Sequence, residues 1–548
     1  MNVRRYQKWA KSGLAIMLAG AMMVGTAASG GGMTAQAAET ESSDTVSTQK
    51  AVTSDAASLL FTEKHITSDL TLPTIGASGT TISWKSSNPS VLSNEGKVTR
   101  PKKGAADEEV TLKGTVKMGD YAKARKFAFV VLAESEMGPT KEFALDQVEL
   151  LDDYYLTAQN SDIEFLKKFD NDRLLSRFRE TAGLDTKGIA PYGGWEDGWL
   201  GGHSVGHYLT AIAQAVKATG NADLKEKSKQ LIEGLAECQN KLGTGFIFGA
   251  KIETEGYVEK QFDILEGKTT GKTWVPWYNM HKMLTGLVDT YKYTGNKQAL
   301  EVAKKLGDWI YNRVSKWDAG TQGRVLGTEY GGMNDCLYEL YLCTRDSKHL
   351  EAAHKFDQPN LYKTVAKGGK NCLNGKHANT TIPKFLGALK RYVVLEQTGE
   401  LTKDDEAYLT NVEKFFDIAV TRHAYITGGV SVMEHFRKDN NQDGTRTQTN
   451  CESCCAHNML KMAKELYKVT GDKKYADYYE TTLRNSIMGA VKSESGAAAY
   501  FIPMATGYFK TFGNEDPAVT GMVLAVLGMT IPFHKNKIEV APLFDDEN

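Results

Sequence analysis

Histidine, glutamate, asparagine and aromatic residues gather in four separated stretches of the sequence. An aromatic ring suits the apolar face of a sugar, and carboxylates can supply the proton transfers that glycosidic cleavage needs. The clustering therefore indicates a carbohydrate site, although any single histidine here is about as often structural. The stretches are YGGWE with GHSVGHY (192–196 and 202–208), WVPWYNMHK (274–282), EYGGMN with NGKHANT (329–334 and 374–380), and TGGVSVMEH with NCESCCAHN (427–435 and 450–458).

The last stretch also holds the densest set of candidate metal ligands, Cys451, Glu452, Cys454, Cys455 and His457. Thiolates suit Zn²⁺, and a carboxylate can complete the coordination shell. Two other interpretations stay open on the residues alone: a Cys451–Cys454 disulfide in an exported protein, or buried thiols. A complete set of four ligands is not visible locally.

Composition narrows the class of protein. The chain has 548 residues, and 66 Lys+Arg against 67 Asp+Glu leave a formal charge of −1, so nucleic acid is not an expected partner. Hydrophobic residues make up 41% and aromatic residues 9%, which argues against a mainly disordered chain. The seven cysteines begin only at Cys238, too late for a disulfide scaffold, and their odd number leaves at least one thiol unpaired.

Residues 1–38 have the pattern of a secretory signal peptide. Four basic residues (Arg4, Arg5, Lys8, Lys11) precede an apolar stretch over 14–27, and a small-residue cleavage site follows at 35–37. The apolar stretch is short and glycine-rich for a bilayer span, which needs about 20 apolar residues, so the mature chain is predicted to have no membrane span. The expected location is secreted or associated with the cell surface. A Ser/Thr-rich linker is predicted over 39–55.

Residues 56–134 form a separate compositional unit of short alternating strands and turn signals, which predicts a small β-sandwich. The stretch ISWKSSNPSVLSNEGKVTRP (82–101) resembles the bacterial immunoglobulin-like modules that accompany secreted enzymes. Such a module is expected to act as a spacer or in adhesion. Trp84 could stack on a sugar, but a tryptophan in the core is the favoured interpretation.

From about residue 150 to 490 the apolar period changes from two to 3.6, which indicates amphipathic helices. A Thr-Gly-Asn-like turn recurs at 219–221, 294–296, 398–400 and 470–472, with a degenerate copy, Cys343-Thr344-Arg345-Asp346. Each glycine can end one helix, and the polar residue near it can cap the next. The repeated helical hairpins predict a closed (α/α) toroid or an open solenoid. Because the unusual residues lie in the return loops, the toroid with a site at one mouth is favoured.

Nine stretches in family order resemble the β-L-arabinofuranosidase glycoside hydrolases, families 127 and 146, with an arrangement closer to family 146. The resemblance spans about residues 145–512 and implies an (α/α)₆ barrel over 145–500, normally followed by β-sandwich domains. The stretches are NDRLLSRFRETAGL, YGGWE, GHSVGHYLTA, WVPWYNMHK, EYGGMND, NGKHANTTIPK, TGGVSVMEHF, ESCCAHNMLK and YFIPMATGYFK.

The resemblance also implies a mechanism, retaining hydrolysis by a zinc-bound cysteine thiolate with a glutamate as general acid and base. Glu434 matches the acid/base, and Glu452 and Cys454 match two of the zinc ligands. The remaining matches line the sugar pocket. They are His203 or His207, His281, His377 and Glu329, the last in a hydroxyl-binding role.

The sequence departs from the family where two adjacent cysteines, one of them the nucleophile, should follow. It has the uncharged segment AVTGMVLAVLGMTIP (518–532) there, and no cysteine after Cys455. We interpret 501–548 as the start of a β region altered by a reading-frame error or gene decay and then truncated. A genuine divergent apolar strand is the alternative. Cys451 or Cys455 could replace the missing pair only by approaching the metal from another side.

The preferred hypothesis is a secreted glycoside hydrolase of the β-L-arabinofuranosidase type, acting on plant or other arabinose-containing glycans and impaired by the missing cysteines. Two alternatives remain. One is a metal-independent glycosidase or lyase using two carboxylates such as Glu434 and Glu329. The other is an extracellular sugar-binding protein without catalysis.

Overall fold

The structure is a computed structural model that describes residues 43–61, 65–66, 69–102, 105–131, 142–249 and 257–513. The predicted signal peptide and the segment 514–548 lie outside the described residues. Contacts between Cα atoms divide the chain into two compact units. Of the described residues, one unit comprises those up to Leu59, those of Pro73–Ser83 and those of Thr115–Ala124, and the other comprises those of Leu60–Leu72, those of Trp84–Gly114 and those from Arg125 onward.

The predicted linker over 39–55 is wrong from residue 43, where helix α1 (Ser43–Ser58) begins. Val52 and Ala56 are buried, and the buried Asp55 carboxylate accepts hydrogen bonds from the Ser78 amide (3.0 Å) and the Thr80 hydroxyl (2.8 Å). The Ser/Thr-rich composition suggested a solvated linker. Tertiary burial of a few side chains outweighs that weak local preference.

The β region contains four strands, β1 (His65–Ile66), β2 (Thr81–Ser86), β3 (Glu108–Met118) and β4 (Tyr121–Val131). They form one sheet in the order β1-β4-β3-β2, with β1 parallel to β4. Trp84 packs edge-on against Phe61, with ring centroids 5.6 Å apart, and lies over Gly114, where an added Cβ would sit 2.7 Å from the indole ring. These contacts identify Trp84 as a core residue.

The long helical region contains fifteen further helices among the described residues, three of them short helices in return segments (α6, α9 and α12). Their bounds are α2 Asp153–Lys167, α3 Asn171–Ala182, α4 His203–Thr219, α5 Ala222–Leu242, α6 Lys260–Leu265, α7 Pro276–Thr294, α8 Lys297–Val314, α9 Ala319–Leu326, α10 Met333–Thr344, α11 Ser347–Lys355, α12 Pro359–Ala366, α13 Ala378–Thr398, α14 Glu406–His423, α15 Ser453–Thr470 and α16 Lys473–Thr482.

Helices α4, α7, α10, α13 and α15 pack in sequence as an inner layer, and the helix after each inner one returns outside it. Helix α2 closes the ring. On one side the Tyr208 hydroxyl of α4 donates to the Leu166 carbonyl of α2 (2.8 Å). On the other side the Ser161 hydroxyl of α2 donates to the Ser493 carbonyl, beyond α16. The predicted helical toroid is therefore confirmed, and the solenoid alternative is not.

Two glycines bring the first inner helices into close contact. A Cβ on Gly206 of α4 would lie 2.1 Å from the Lys282 carbonyl oxygen of α7, and one on Gly286 would lie 2.5 Å from the Gly206 carbonyl oxygen. Only glycine allows two backbones this close. The crossing fixes His203 and His207 beside the start of α7, where His281 lies.

The recurring turn adopts the same backbone conformation at the C-terminal end of each inner helix. The residue after each inner helix has a positive φ: Gly220 (69°), Gly295 (72°), Gly399 (70°), Gly471 (67°) and Arg345 (56°). At four of these turns the preceding threonine hydroxyl donates to the carbonyl four residues back and accepts the amide two residues on, as Thr219 does to Ala215 (2.7 Å) and from Asn221 (3.3 Å). The Asn or Asp then caps the outer helix, as predicted.

No helix among the described residues has both the length and the low polarity that a bilayer crossing requires. All seven cysteines lie in described segments and are free thiols, so the Cys451–Cys454 disulfide that the sequence left open is not formed.

Arg345 holds a left-handed conformation that costs an L-residue roughly 1–2 kcal/mol, and glycine relieves it at an entropic cost of roughly 0.5–1 kcal/mol. We expect Arg345→Gly to raise the free energy of unfolding by about 0.5 kcal/mol. The substitution also removes the contact of the Arg345 guanidinium with the Tyr341 ring, at 5.6 Å, and this loss makes the gain in stability smaller. The reciprocal Gly295→Arg should lower it by about 1 kcal/mol. Urea unfolding followed by circular dichroism measures both, and a destabilised Arg345→Gly would contradict this account.

Candidate active site

Five inner helices begin where the four predicted stretches lie, so the stretches share one mouth of the toroid. Helix α4 begins at His203, α7 at Pro276, α10 at Met333, α13 at Ala378 and α15 at Ser453. The first amides of a helix have no partners within it, and side chains before the helix can satisfy them. The stretches therefore serve two purposes, capping the inner helices and lining the mouth.

Glu434 is presented by a tight turn with unusual backbone geometry. Val432 and His435 exchange both backbone hydrogen bonds (3.0 and 3.1 Å), and the two residues between them, Met433 and Glu434, have φ of 45° and 64°. Two consecutive positive φ values are typical of a type I′ turn, where glycine and asparagine are favoured. The Glu434 carbonyl accepts the first amide of α13, from Ala378 at 2.7 Å. Packing against a helix end therefore maintains a conformation that a glutamate rarely adopts.

His377 joins Glu434 at the start of α13. Its Nδ1 accepts the Thr380 amide (3.2 Å) as the helix cap, and its Nε2 lies 3.4 Å from Glu434 Oε2. The hydrogen bond with His377 lowers the pKa of Glu434, aided by Tyr500. Burial works against the charged form of the His377 ring, but Glu434, Glu329 and Glu452 outweigh it and raise the pKa of His377. The pair is therefore biased toward an anionic glutamate beside a readily protonated histidine.

Tyr500 connects Glu434 to the predicted zinc ligand Glu452. Its hydroxyl lies 2.6 Å from Glu434 Oε1 and 3.0 Å from Glu452 Oε1. A hydroxyl has one hydrogen, so in this arrangement it donates to one carboxylate and accepts from the other. Burial, followed by the charge of Glu434, raises the pKa of Glu452 to about 7. The assignment that fits is a protonated Glu452 donating to Tyr500, which donates to ionised Glu434.

Both thiols that follow Glu452 contact its carboxylate, Cys455 by donating to Oε2 (3.2 Å). Cys455 also packs in a core cluster with Met459 and Phe416, whereas Cys454 belongs to a separate cluster. Consecutive helical residues point about 100° apart, which explains the different clusters. Burial, with Glu452 beside them, raises the pKa of both thiols well above its ordinary value, so both are protonated.

The described residues do not complete the zinc site that the family resemblance implies. Within the described ranges, a group of three close metal-ligand atoms occurs at Asp308, Asp346 and His349, which is not at this mouth, and none includes Glu452 with Cys454. Among the described residues, no further thiolate joins Glu452 and Cys454 in such a group. Cys455 contacts Glu452 Oε2 at 3.2 Å, but it does not complete a group of three close ligand atoms with this pair.

His203, one of the two candidates on α4, has a structural environment. It is fully buried, and its Nδ1 lies 2.8 Å from Glu196 Oε1. Glu196 also accepts the Gly202 amide (2.6 Å) and the Ser204 amide (3.2 Å), capping α4, whose own cap residue is a glycine. Burial opposes ionisation of Glu196, but His203 and these donors together lower its pKa.

His207 lies beside His203 on α4, with ring centroids 6.0 Å apart, and His281 lies on the neighbouring helix α7. The Gly332 amide at the start of α10 donates to His281 Nδ1 (3.0 Å), which leaves Nε2 as the protonated nitrogen of the neutral ring. Burial, then the charge of Lys282, lowers the pKa of His281 and of His207 well below its ordinary range. Both rings are therefore neutral hydrogen-bonding groups and are not acids at pH 7.

Glu329 is half-buried at the same mouth. Its charge acts on Tyr278, Lys282, His377 and Lys384, and no hydrogen bond joins it to Glu434 in the described structure. Burial lowers the pKa of Lys384 to about 8, against the opposing effect of Glu329. The structure thus brings His377, Glu434 and Glu452 into one network and places Glu329 beside it.

Three residues that line the mouth beside His203 and Glu434 were not among the predicted site residues. They are Tyr500, Glu196 and Trp195, whose ring centroid lies 5.6 Å from that of Tyr500 and 6.2 Å from that of His203. Glu196 and Trp195 stand in the YGGWE stretch, so its functional composition was a usable signal. Tyr500 begins the family-like stretch YFIPMATGYFK, but its role depends on a contact with Glu434, 66 residues away in sequence.

Residues 147–517 match the family model described as "Beta-L-arabinofuranosidase, GH127 catalytic domain". The chain belongs to this family. Residues 46–134 match the model of an atrophied bacterial Ig domain, a range that includes most of α1. The GH127 match stops before the uncharged segment, and residues 511–547 match a different model, "Protein of unknown function (DUF2953)".

Solved structures support the GH127 fold. One described as a GH127 β-arabinofuranosidase superposes with a TM-score of 0.52 at 18% identity, covering 72% of this chain and 61% of that chain. A GH127 β-L-arabinofuranosidase from Geobacillus stearothermophilus T6 gives 0.50 at 16% identity, covering 70% and 65%. This GH127 chain thus spans less than two thirds of either protein. No curated protein matches it significantly in sequence.

If the hydrogen bond with Glu434 raises the pKa of His377, Glu434→Gln should lower that pKa, because a neutral amide stabilises the imidazolium less. NMR titration of ¹³C-labelled histidines measures it, with the signal assigned by His377→Gln. The control is Glu329→Gln, which removes a charge without that hydrogen bond and should shift the pKa less. An unchanged value in Glu434→Gln would show that the contact does not govern the titration.

Proposed function

We propose that this GH127 chain recognises arabinofuranose-containing glycans at the inner-helix mouth, with Glu434 as acid/base, and hydrolyses them weakly or not at all. The observation that carries the proposal is the network of His377, Glu434, Tyr500 and Glu452. It provides an ionised carboxylate, a proton donor beside it and an aromatic wall, at the mouth where the four stretches meet.

Each described residue has a definite part in such a reaction. His377 holds Glu434 in position and can return a proton to it, which the acid step requires because Glu434 is otherwise ionised. His281 presents a neutral Nε2–H, and His207 a neutral ring, for hydrogen bonding to sugar hydroxyls. Trp195 offers a ring face beside them.

The weak step in this proposal is nucleophilic attack. A thiol must be deprotonated to attack, and burial keeps Cys454 and Cys455 protonated. Zinc would supply that deprotonation in the proposed family mechanism, with Glu452 and Cys454 as two ligands. No described residue supplies the other two, so we derive no step through the metal. The missing pair fits either a reading-frame alteration near 518–532 or true divergence, and sequencing codons 510–548 of the gene distinguishes these.

A second candidate is favoured by the spacing of two carboxylates. Glu434 Oε1 and Glu452 Oε1 are at most 5.6 Å apart, since they lie 2.6 and 3.0 Å from one hydroxyl oxygen. This upper limit is compatible with the separation of about 5–5.5 Å between the carboxyl groups of retaining glycosidases that use two carboxylates. Glu452, with a pKa of about 7, would be the acid and Glu434 the nucleophile. The partner of Glu434 in this metal-independent mechanism is then Glu452, where the sequence suggested Glu329.

We also propose that the chain is exported, as the basic and apolar pattern of residues 1–38 suggests, and acts outside the cell or at its surface. Plant polymers are the proposed source of the arabinose. Expression of the complete chain in a Gram-positive host, with the culture fluid analysed by mass spectrometry, tests export. A protein retained in the cell with residues 1–38 intact would contradict it.

The purified chain should bind L-arabinose or a short arabinofuranoside oligosaccharide in calorimetry and show little turnover of a β-L-arabinofuranoside. If turnover occurs, Glu434→Gln should reduce it by about 10²–10⁴-fold, as removal of an acid/base does. Turnover would favour the two-carboxylate mechanism if it persists in Cys454→Ser and if mass spectrometry finds no zinc in the active protein. Zinc-dependent turnover abolished by Glu434→Gln and by Cys454→Ser would overturn the proposed impairment, and absence of sugar binding would overturn the proposal itself.

A further inference from the structure

A second group of ligand-type side chains lies in the outer layer of the toroid, where helix α8 meets α11. Asp308 belongs to α8, Asp346 caps α11, and His349 lies in its first turn. One ligand atom from each lies within 4.8 Å of the other two. The catalytic proposal uses none of these residues.

His349 carries most of the evidence for a ligand, because its side chain is buried and one nitrogen of its ring has no hydrogen-bond partner among the described residues. The residue is 1% exposed, and its Nε2 has no hydrogen-bond partner among the described residues. That Nε2 lies 3.9 Å from Asp308 Oδ1. A buried polar atom without a partner costs free energy unless something binds it.

The neighbouring hydrogen bonds assign the tautomer of this ring. The Thr344 hydroxyl donates its single hydrogen to the Leu340 carbonyl (3.0 Å), so it accepts at 2.7 Å from His349 Nδ1. Nδ1 therefore carries the hydrogen and Nε2 carries a lone pair. This pattern, with Nδ1–H fixed by a hydrogen bond and Nε2 free, is that of metal-binding histidines.

The charge state agrees with this assignment. Burial lowers the pKa of His349, and Lys348 adds to that effect. The carboxylates Asp346 and Asp308 and the Lys304 carbonyl oppose it without reversing it. In this tautomer the lone pair of Nε2 faces a carboxylate oxygen, Asp308 Oδ1, at 3.9 Å. Two electron-rich atoms so placed are brought together favourably by a cation.

We propose that Asp308, Asp346 and His349 form a divalent transition-metal site that joins α8 to α11, with Zn²⁺ as the expected ion. One imidazole and two carboxylates suit Zn²⁺, Mn²⁺ or Co²⁺, whereas Ca²⁺ prefers oxygen ligands alone. With three protein ligands, water completes the shell.

Lys348 is the competitor for this site. Its Nζ lies 3.2 Å from Asp308 Oδ1 and 3.6 Å from Asp346 Oδ2, and its side chain is 47% exposed. A long exposed lysine can swing into solvent at small cost, since surface ion pairs contribute little. Metal binding therefore displaces Lys348, and removing this charge should strengthen the binding.

The test is Zn²⁺ titration by calorimetry of the full chain carrying Glu452→Gln and Cys454→Ser, which removes the other candidate zinc ligands. We expect one ion per chain, insensitive to excess Ca²⁺. In that background Asp308→Asn and His349→Gln should each weaken the affinity at least about tenfold, and Lys348→Gln should strengthen it at least about threefold.

Lys304→Gln is the matched control. Lys304 is also a lysine of this layer, on α8, and pairs with Glu301, so its removal should leave the affinity unchanged. Because Asp308 is partly exposed, Asp308→Asn keeps the test decisive if His349→Gln fails to fold by circular dichroism. Unchanged binding in Asp308→Asn, or weaker binding in Lys348→Gln, would reduce the site to a surface ion pair with adventitious metal and overturn the proposal.

Discussion

The unpaired amides at the start of each inner helix are the constraint on which this structure depends. The toroid places five such ends at one mouth, and protein groups satisfy the first amides at several of them. Glu196 does so for α4, His377 for α13, and the Tyr500 carbonyl for α15 through Ser453 at 3.0 Å. The same groups line the mouth, so the requirements of folding and of the proposed carbohydrate recognition coincide here.

This coincidence explains why Glu434 can occupy a costly backbone conformation. Its turn is clamped on three sides, by the first amide of α13, by the Met433 amide donating to the Thr449 carbonyl (2.8 Å), and by the paired flanking residues. Strain of this kind persists only where the surroundings determine the geometry. The clamp holds the carboxylate within reach of Tyr500 and His377.

The helical hairpins and the stretches that line the mouth could be predicted from the sequence because they depend on local patterns of residues. The repeated turn follows from Thr-Gly-Asn chemistry, and even the degenerate copy at Arg345 adopts the same positive φ. The prediction of a linker over 39–55 was wrong because Val52 and Ala56 are buried by tertiary contacts, which the local composition does not reveal. Tyr500 was missed for a related reason, since its two carboxylate partners are distant in sequence. The closeness of Asp308 to His349 likewise required the packing of two helices.

The inner helices run parallel to one another, so their dipoles reinforce at the mouth and do not cancel as in an up-and-down bundle. A positive potential there favours ionised carboxylates, but it disfavours the oxocarbenium-like charge that develops when a glycosidic bond breaks. A fold of this kind must counter its own backbone field with acidic side chains. Four glutamates lie at this mouth, 196, 329, 434 and 452, more than the two proton transfers of the proposed reaction require. They lie where the proposed cation-forming chemistry would need a counter to the positive ends of the helices.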